Sequence, residues 1–410
     1  MTPRFLAPQI HAALKDTPVL YLQGARQTGK STLVQAIARE HGFSDYLTLD
    51  TAAVMGAAES DPEGFIAGLT GATVIDEVQR VPRLAVAIKA AVDKNRRAGQ
   101  FLLTGSANVM ALPGLSESLA GRMELHTLWP FSQGEIAGCR ESFIDRAFAP
   151  EFRALDAEAI AERDVIERIV RGGYPEARSR EKEERRRAWF DSYLTAILQR
   201  DVRDLAHIDR LSDMPRLLAL LASRSCQLVN YADIARSLSI PQTTLKRHIT
   251  LMEMTFLIRL LPAWYTNIGK RLAKSPKLLL VDVGLLTHLL AVDAVRLQSD
   301  RTLFGHVLET FVAMELCKQR GWSKTKCGLF HFRTEAGQEV DLVLEDASGR
   351  LVGIEVKAGA TVEKRDLRGL EAFAAAVGDR FVRGFIVYTG DTAVPLTKRL
   401  RALPISQLWS

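Results

Sequence analysis

The sequence predicts an α/β protein with a core domain at its amino end, a helical and winged-helix middle, and a second α/β domain at its carboxyl end. Three observations carry this. A glycine-rich loop, Gly24 to Ser31, lies between the apolar run Val19-Leu20-Tyr21-Leu22 and a helical pattern over residues 32–38. A short apolar stretch beginning at Ala72 ends in two carboxylates, Asp76 and Glu77. Far downstream, a strand pattern with Asp341 inside it is followed, after a Gly-containing turn, by Leu351 to Lys357. At 410 residues the chain exceeds one typical domain. The expected units are the core at 1–140, a helical connector at 141–225, a winged helix-turn-helix at 226–270 and the carboxyl-terminal domain at 271–410.

The loop Gly24-Ala25-Arg26-Gln27-Thr28-Gly29-Lys30-Ser31, leading into Thr32, fits GxxxxGK[ST] in the strand–loop–helix context that the pattern requires. Glycines let the backbone wrap a polyphosphate so that several N–H groups point inward. The helix N-terminus adds its dipole, Lys30 a point charge for the β/γ oxygens, and Ser31 a hydroxyl ligand for Mg²⁺. Arg26 is a further candidate for phosphate contact. The chain is therefore expected to bind a nucleoside triphosphate with Mg²⁺. Asp76, at a strand's carboxyl edge, is the candidate to hold Mg²⁺ through water, and Glu77 to polarise the attacking water. That pair points to hydrolysis as well as binding.

A third strand, Gln100 to Asn108, ends in small polar groups that can orient the lytic water. Ser106 is the chosen candidate, with Thr104 and Asn108 as rivals. The order of elements here resembles the AAA+ class of P-loop ATPases, in which this position is called sensor 1. Arg122, shortly after that strand, resembles the arginine finger of such proteins in its placement.

Composition sets the bounds. Hydrophobic residues make up 47% and charged residues 25%, ordinary for a globular protein. No apolar run approaches the roughly 18 residues that cross a bilayer, and the amino terminus lacks a signal-peptide core, so no membrane partner is expected. Cys139, Cys226, Cys317 and Cys327 are scattered without CxxC spacing, which suits a reducing cytoplasm. Formal charge is balanced over residues 1–140, so the net +6 lies in the remainder. That mild excess is compatible with DNA as a partner of the second half. The run Arg178 to Arg187 alternates in sign and reads as the solvated face of a helix.

The middle reads as helices at residues 156–162 and from Trp189 to Val202, with the turn Gly172-Gly173-Tyr174-Pro175 between them. Such helices form either a lid over the nucleotide or a plain connector. Tyr231 to Leu238, a short turn, and Thr243 to Met252 have helix-turn-helix spacing, and Leu257 to Leu261 supplies the strand of a winged variant. Gln242, Thr243, Thr244, Lys246 and Arg247 are then the residues presented to DNA. The alternative is a winged helix used only for packing or oligomer contact.

In the last third, an Asp entering one strand and Glu-x-Lys in the next form the pattern of the PD-(D/E)xK nuclease fold. The strand period of two places Glu355 and Lys357 on one face, where Asp341 can converge. Two such carboxylates bind a divalent metal while the lysine steadies charge on the phosphate. Glu309, on the preceding helical pattern, is a further candidate ligand.

Taken over residues of about 20 to 360, the chain resembles prokaryotic AAA-family ATP-binding proteins with a C-terminal region called DUF4143. Gly24–Ser31, Val74–Gln79, Leu103–Ser106, Gly121-Arg122, Gly172–Pro175, Gln199-Arg200-Asp201, Lys274–Leu285, Gly305–Phe311 and Glu339–Lys357 carry the resemblance. It implies a P-loop AAA+-like ATPase core, a winged helix and a PD-(D/E)xK-like C-terminal α/β fold, and leaves the biological role open. The reading is a Mg²⁺-dependent ATPase coupled to a nuclease-like module that contacts DNA, with a homo-oligomer as a further expectation. The alternative is an ATP-dependent regulatory or interaction protein whose nuclease-like scaffold cuts nothing.

Overall fold

A computed structural model describes residues 2–109, 113–156, 159–201, 213–267, 269, 271, 274–334 and 336–410. Helix α1 (Ala7–Ala13) precedes strand β1 (Val19–Gln23), whose five residues are all buried, as a central parallel strand requires. Helix α2 (Lys30–His41) starts at Gly29 (φ 91°) and stops at Gly42 (φ 68°), both left-handed positions that suit glycine. Leu33, Val34, Ile37 and Ala38 form its buried stripe. Strands β2 (Asp45–Thr48) and β3 (Thr73–Asp76), helix α3 (Leu84–Lys94), and strands β4 (Phe101–Gly105) and β5 (Met123–Thr127) follow. The five strands are parallel, in the order β2-β3-β4-β1-β5. Because β4 lies between β1 and β3, the carboxyl ends of all three open onto one edge of the sheet.

The middle contains α4 (Glu162–Arg171), α5 (Glu183–Ala196), α6 (Tyr231–Leu238) and α7 (Gln242–Met254). An antiparallel hairpin of β6 (Ile258–Leu261) and β7 (Lys277–Leu280) completes the winged motif. This pairing crosses the boundary expected at 270, so β7 sits with the wing.

The expectations for this region change in part. Residues 159–161 are not helical, and 157 and 158 lie outside the described residues. Both backbone groups of Leu155 bond to the side chain of Gln407, and α4 begins only where Val165, Ile166 and Ile169 find a core. Helix α5 continues as a wider π-helical turn, Ile197–Asp201, while Val202 lies outside the described residues. The charged run is not one solvated helix face either. It spans the end of one helix and the start of α5, and Arg186 is buried, donating to the carbonyls of Arg180 (3.1 Å) and Glu181 (2.6 Å).

Helix α8 (Arg301–Gln319) is capped by Asp300, whose carboxylate accepts the Leu303 N–H at 3.0 Å. Strands β8 (Cys327–Arg333), β9 (Glu339–Asp346) and β10 (Leu351–Lys357) follow, then helix α9 (Arg368–Val377) and strands β11 (Phe381–Tyr388), β12 (Val394–Pro395) and β13 (Leu400–Pro404). Their sheet has the order β12-β13-β11-β10-β9-β8. One core cluster runs from Phe143 through the middle helices to Trp409, so the connector, wing and carboxyl-terminal sheet share their apolar interior. Among the described residues, no helix is long and apolar enough to cross a membrane.

At the exit from the first sheet, the buried Glu141 accepts the Gly134 N–H at 2.8 Å through one oxygen and has no partner for the other. Burial, then the charge of Glu315, push Glu141 up to about 7. The fold therefore favours its protonated form. Stability from this group is full below the ordinary glutamate range and is lost as pH rises through about 7. Glu141→Gln should narrow the difference in unfolding free energy between about pH 5 and pH 8.5 by on the order of 3 kcal/mol. Denaturant unfolding at the two pH values checks this, and an unchanged difference would reject it.

Candidate functional site

The loop after β1 is shaped by contacts that exclude larger residues. A Cβ on Gly24 (φ 153°) would stand 2.2 Å from the Leu128 carbonyl oxygen. The Thr28 hydroxyl donates to the Ala25 carbonyl at 3.0 Å, closing the turn. Lys30 is buried, and its Nζ donates to the carbonyls of Gly24 and Ala25 at 2.9 Å each, bonds it can exchange for phosphate oxygens. Arg26 is half-buried, while Gln27 and Thr32 are exposed at the rim.

Across the same sheet edge, the Ser31 hydroxyl donates to Asp76 Oδ2 at 3.0 Å, and Tyr46 donates to the same oxygen at 2.6 Å. Burial and the Asp76 partner raise the Tyr46 phenol, so it remains a donor. The Thr104 hydroxyl donates to Asp76 Oδ1 and accepts the Glu77 N–H at 3.2 Å. Glu77 is left-handed (φ 61°), which turns its side chain out of the strand direction. Its Oε2 accepts the Ser106 hydroxyl at 3.2 Å and the Gln79 amide, and that amide also reaches Ser106 Oγ at 3.0 Å. Thr104 and Ser106 thus share the work, one on each carboxylate. The Asn108 N–H donates to the Met254 carbonyl of α7 at 2.9 Å. Gln79 and Tyr46 were not singled out from sequence. Gln79 stands two residues after Glu77 inside a quoted motif, whereas nothing local marks Tyr46.

Oxygen donors from Ser31 and Asp76 suit a hard cation such as Mg²⁺, and the loop's glycine geometry suits phosphate. Beside the loop, a cavity of about 610 Å³ is lined by Phe5, Pro8, Gly29, Thr32, Phe131 and Pro175 among others, a predominantly apolar wall adjoining Thr28 and Gly29. From the other side α5 packs on the loop. Trp189 Nε1 donates to Gln27 Oε1 at 3.1 Å, and the Tyr193 hydroxyl reaches the Arg26 carbonyl at 3.5 Å. The buried Tyr174, from the Gly-Gly-Tyr-Pro turn, lies 2.9 Å from the Tyr193 hydroxyl.

Arg122 is not brought to this edge. Its carbonyl accepts the Val19 N–H at the opposite end of β1, and its guanidinium grips Asp93 of α3 at 2.6 and 2.9 Å.

In the carboxyl-terminal domain, Glu309, Asp341, Glu355 and Lys357 do come together. The Val356 N–H donates to Asp341 Oδ2 at 2.8 Å, and Lys357 Nζ to Glu355 Oε1 at 3.0 Å, while Glu355 Oε2 is buried without a partner. Sequence reasoning missed Lys277 and Glu339. Lys277, on β7, places Nζ 2.6 Å from Glu309 Oε1, 2.6 Å from Glu339 Oε1 and 3.6 Å from Asp341 Oδ1. Burial would lower the Lys277 pKa, but Glu309, Asp341, Cys226 and Glu339 outweigh it and hold the value well above the lysine range. Burial, then Asp341, push Glu309 and Glu355 up to about 8 each. Among the described residues, no group of three or more His, Cys, Asp or Glu is arranged to hold a metal ion. Of the ligands expected at Asp341, Glu355 and Glu309, Glu309 and Asp341 instead surround the Lys277 ammonium.

On α7, Gln242, Thr243, Lys246 and Arg247 are exposed and Thr244 is half-buried.

Residues 16–137 match a family described as AAA domain, residues 162–296 a domain of unknown function, DUF8612, and residues 304–408 another, DUF4143. Uncharacterized proteins of Mycobacterium tuberculosis (Rv2008c) and Mycobacterium bovis (Mb2031c) are each 32% identical to the chain over 408 residues, covering 99% of it and 84% of their own length. Among solved structures, a Walker-type ATPase of Pyrococcus abyssi covers 70% of this chain and 96% of its own at 14% identity and a TM-score of 0.40. AMPPCP-bound DnaA from Aquifex aeolicus covers 60% and 86% at 17% identity and a TM-score of 0.28.

Proposed function

This chain belongs to the family in which an AAA domain is joined to a C-terminal DUF4143 region, and on that premise we propose that it is a cytoplasmic Mg²⁺-dependent ATPase. The supporting observation is the convergence of Lys30, Ser31, Asp76 and Glu77 on one sheet edge, with Thr104 and Ser106 holding the two carboxylates. Backbone N–H groups of Gly24 to Ser31 and the Lys30 ammonium bind the phosphates, and Ser31 and Asp76 would hold Mg²⁺, which would neutralise phosphate charge. Glu77 takes a proton from the attacking water, with Ser106 and Gln79 fixing its Oε2. The apolar cavity beside Thr28 accepts the base.

Trp189 and Tyr193 make α5 the element that responds to the loop, so the γ-phosphate contact biases the position of the connector. The exposed face of α7 and the net positive charge of the second half favour DNA as the partner, by phosphate contact more than base reading. Arg122 serves a neighbouring copy in a homo-oligomer. The second reading, an ATP-dependent interaction protein with a non-cleaving scaffold, is favoured by the position of Lys277 among the carboxylates.

Phosphate release by the purified protein, measured alone and with single- or double-stranded DNA, tests the proposal. Wild-type turnover with Mg²⁺ that DNA accelerates is the expected result. Lys30→Ala should abolish nucleotide binding, and full-strength binding by that variant would remove the loop from the site. Hydrolysis that DNA leaves unchanged would favour the interaction protein.

A further inference from the structure

Glu309, Glu339 and Asp341, from α8 and β9, gather around one point, and Glu355 of β10 lies near Asp341 and Glu309. Hard oxygen donors in that number are what a divalent cation demands. The point is filled from a fourth element. Lys277 is 2% exposed, and its ammonium lies 2.6 Å from Glu309, 2.6 Å from Glu339 and 3.6 Å from Asp341. The other Asp341 oxygen is committed to the Val356 N–H at 2.8 Å, and Glu355 Oε1 to Lys357 at 3.0 Å.

We infer that the Lys277 ammonium is the resident cation of this module, standing where a divalent metal would stand, so that the carboxylate set is completed by the chain itself and does no metal-assisted cleavage. The inference deepens the second reading above and is independent of whether the core hydrolyses ATP.

Two physical points support it. First, like charges at about 4 Å repel by about 4 kcal/mol per unit charge pair even at an effective dielectric of 20, and a divalent ion doubles this. A metal among these oxygens therefore has to displace the ammonium. Second, the ammonium is held from behind. The Lys277 backbone pairs with Leu261 in the wing hairpin and bridges to Leu228, and the next residue, Leu278, accepts the Cys226 N–H at 2.6 Å. A side chain anchored on both sides of its strand and surrounded by carboxylates has little reason to leave. The ion cluster then joins the winged motif to the carboxyl-terminal sheet, a structural task that a hydrated, exchangeable metal would perform less permanently.

Full-length, nucleotide-free protein can be titrated with Mn²⁺ while heat uptake and thermal unfolding are followed. Wild type and Asp341→Asn should respond identically, and neither should nick plasmid DNA in Mn²⁺. Lys277→Met empties the centre of the cluster and should gain a Mn²⁺-dependent rise in Tm that Lys277→Met with Asp341→Asn lacks. Wild-type Mn²⁺ binding or plasmid nicking that Asp341→Asn abolishes would overturn the inference. So would a folded Lys277→Met protein that gains no response to Mn²⁺. Should circular dichroism show Lys277→Met unfolded, the comparison of wild type with Asp341→Asn decides alone.

Discussion

Replacing Glu77 by Gln should leave nucleotide affinity near that of wild type and lower turnover by about 10²–10⁴-fold, the usual worth of a positioned general base. The reason lies in what each group does in the ground state. Lys30 and the loop backbone meet phosphate whether or not reaction occurs, whereas Glu77 matters when water loses its proton. The amide keeps the shape of the side chain and can still meet Ser106 and Gln79, which now hold Glu77 Oε2. Nucleotide titration and single-turnover phosphate release separate the two effects. Wild-type turnover in Glu77→Gln would take the base role away from this residue.

The second large effect concerns the joint between the two sheets. Glu315 on α8 is fully buried, accepts the Gln133 N–H at 2.8 Å and pairs with Lys318 Nζ at 2.6 Å. Lys318 in turn donates to the Phe131 carbonyl at 3.0 Å, so both side chains tie α8 to the exit of the ATPase core. Glu315→Ala strands the Lys318 ammonium and a backbone N–H in the interior and should destabilise the protein by about 3–5 kcal/mol. Replacing both partners together, Glu315→Leu with Lys318→Met, should recover part of that loss, because the unpaired ammonium is gone while the Gln133 N–H stays unpaired. Denaturant unfolding of the three proteins is the measurement. A loss below about 1 kcal/mol in Glu315→Ala would mean that water reaches the site and the pair is not structural.

These two predictions differ in how legible their residues were. Glu77 was visible because a phosphate site needs its parts at fixed offsets from a strand end, and Gly24 to Ser31, Asp76 and Ser106 all lie within a few residues of one. The C-terminal set of Asp341, Glu355 and Lys357 was visible for a similar reason, since the two-residue strand period aligns Glu355 with Lys357. Glu315 and Lys318 gave no such sign. They look like ordinary polar positions on a helix, and only the packing of α8 against Phe131 and Gln133 removes them from water.

Arg122 shows where spacing along the chain stops informing. An arginine soon after the third strand is close to the active edge in sequence, yet β5 runs parallel to β1, so the residue before it stands at the far end of the sheet. The charged run at 178–187 is not one solvated face, because alternating sign describes exposure only if the segment is a single helix, and here a break buries Arg186. The sequence by itself determined the elements whose chemistry is local: the phosphate loop and its helix, the strand ending in Asp76-Glu77, the helix-turn-helix and the strand bearing Glu-x-Lys. Tertiary structure alone decided what faces what across long separations. It brought Tyr46 to Asp76, Trp189 to Gln27 and, 32 to 64 residues along the chain, Lys277 into a ring of carboxylates. Pattern along a chain records spacing, whereas the electrostatic partner of a buried charge is set by folding the chain back on itself.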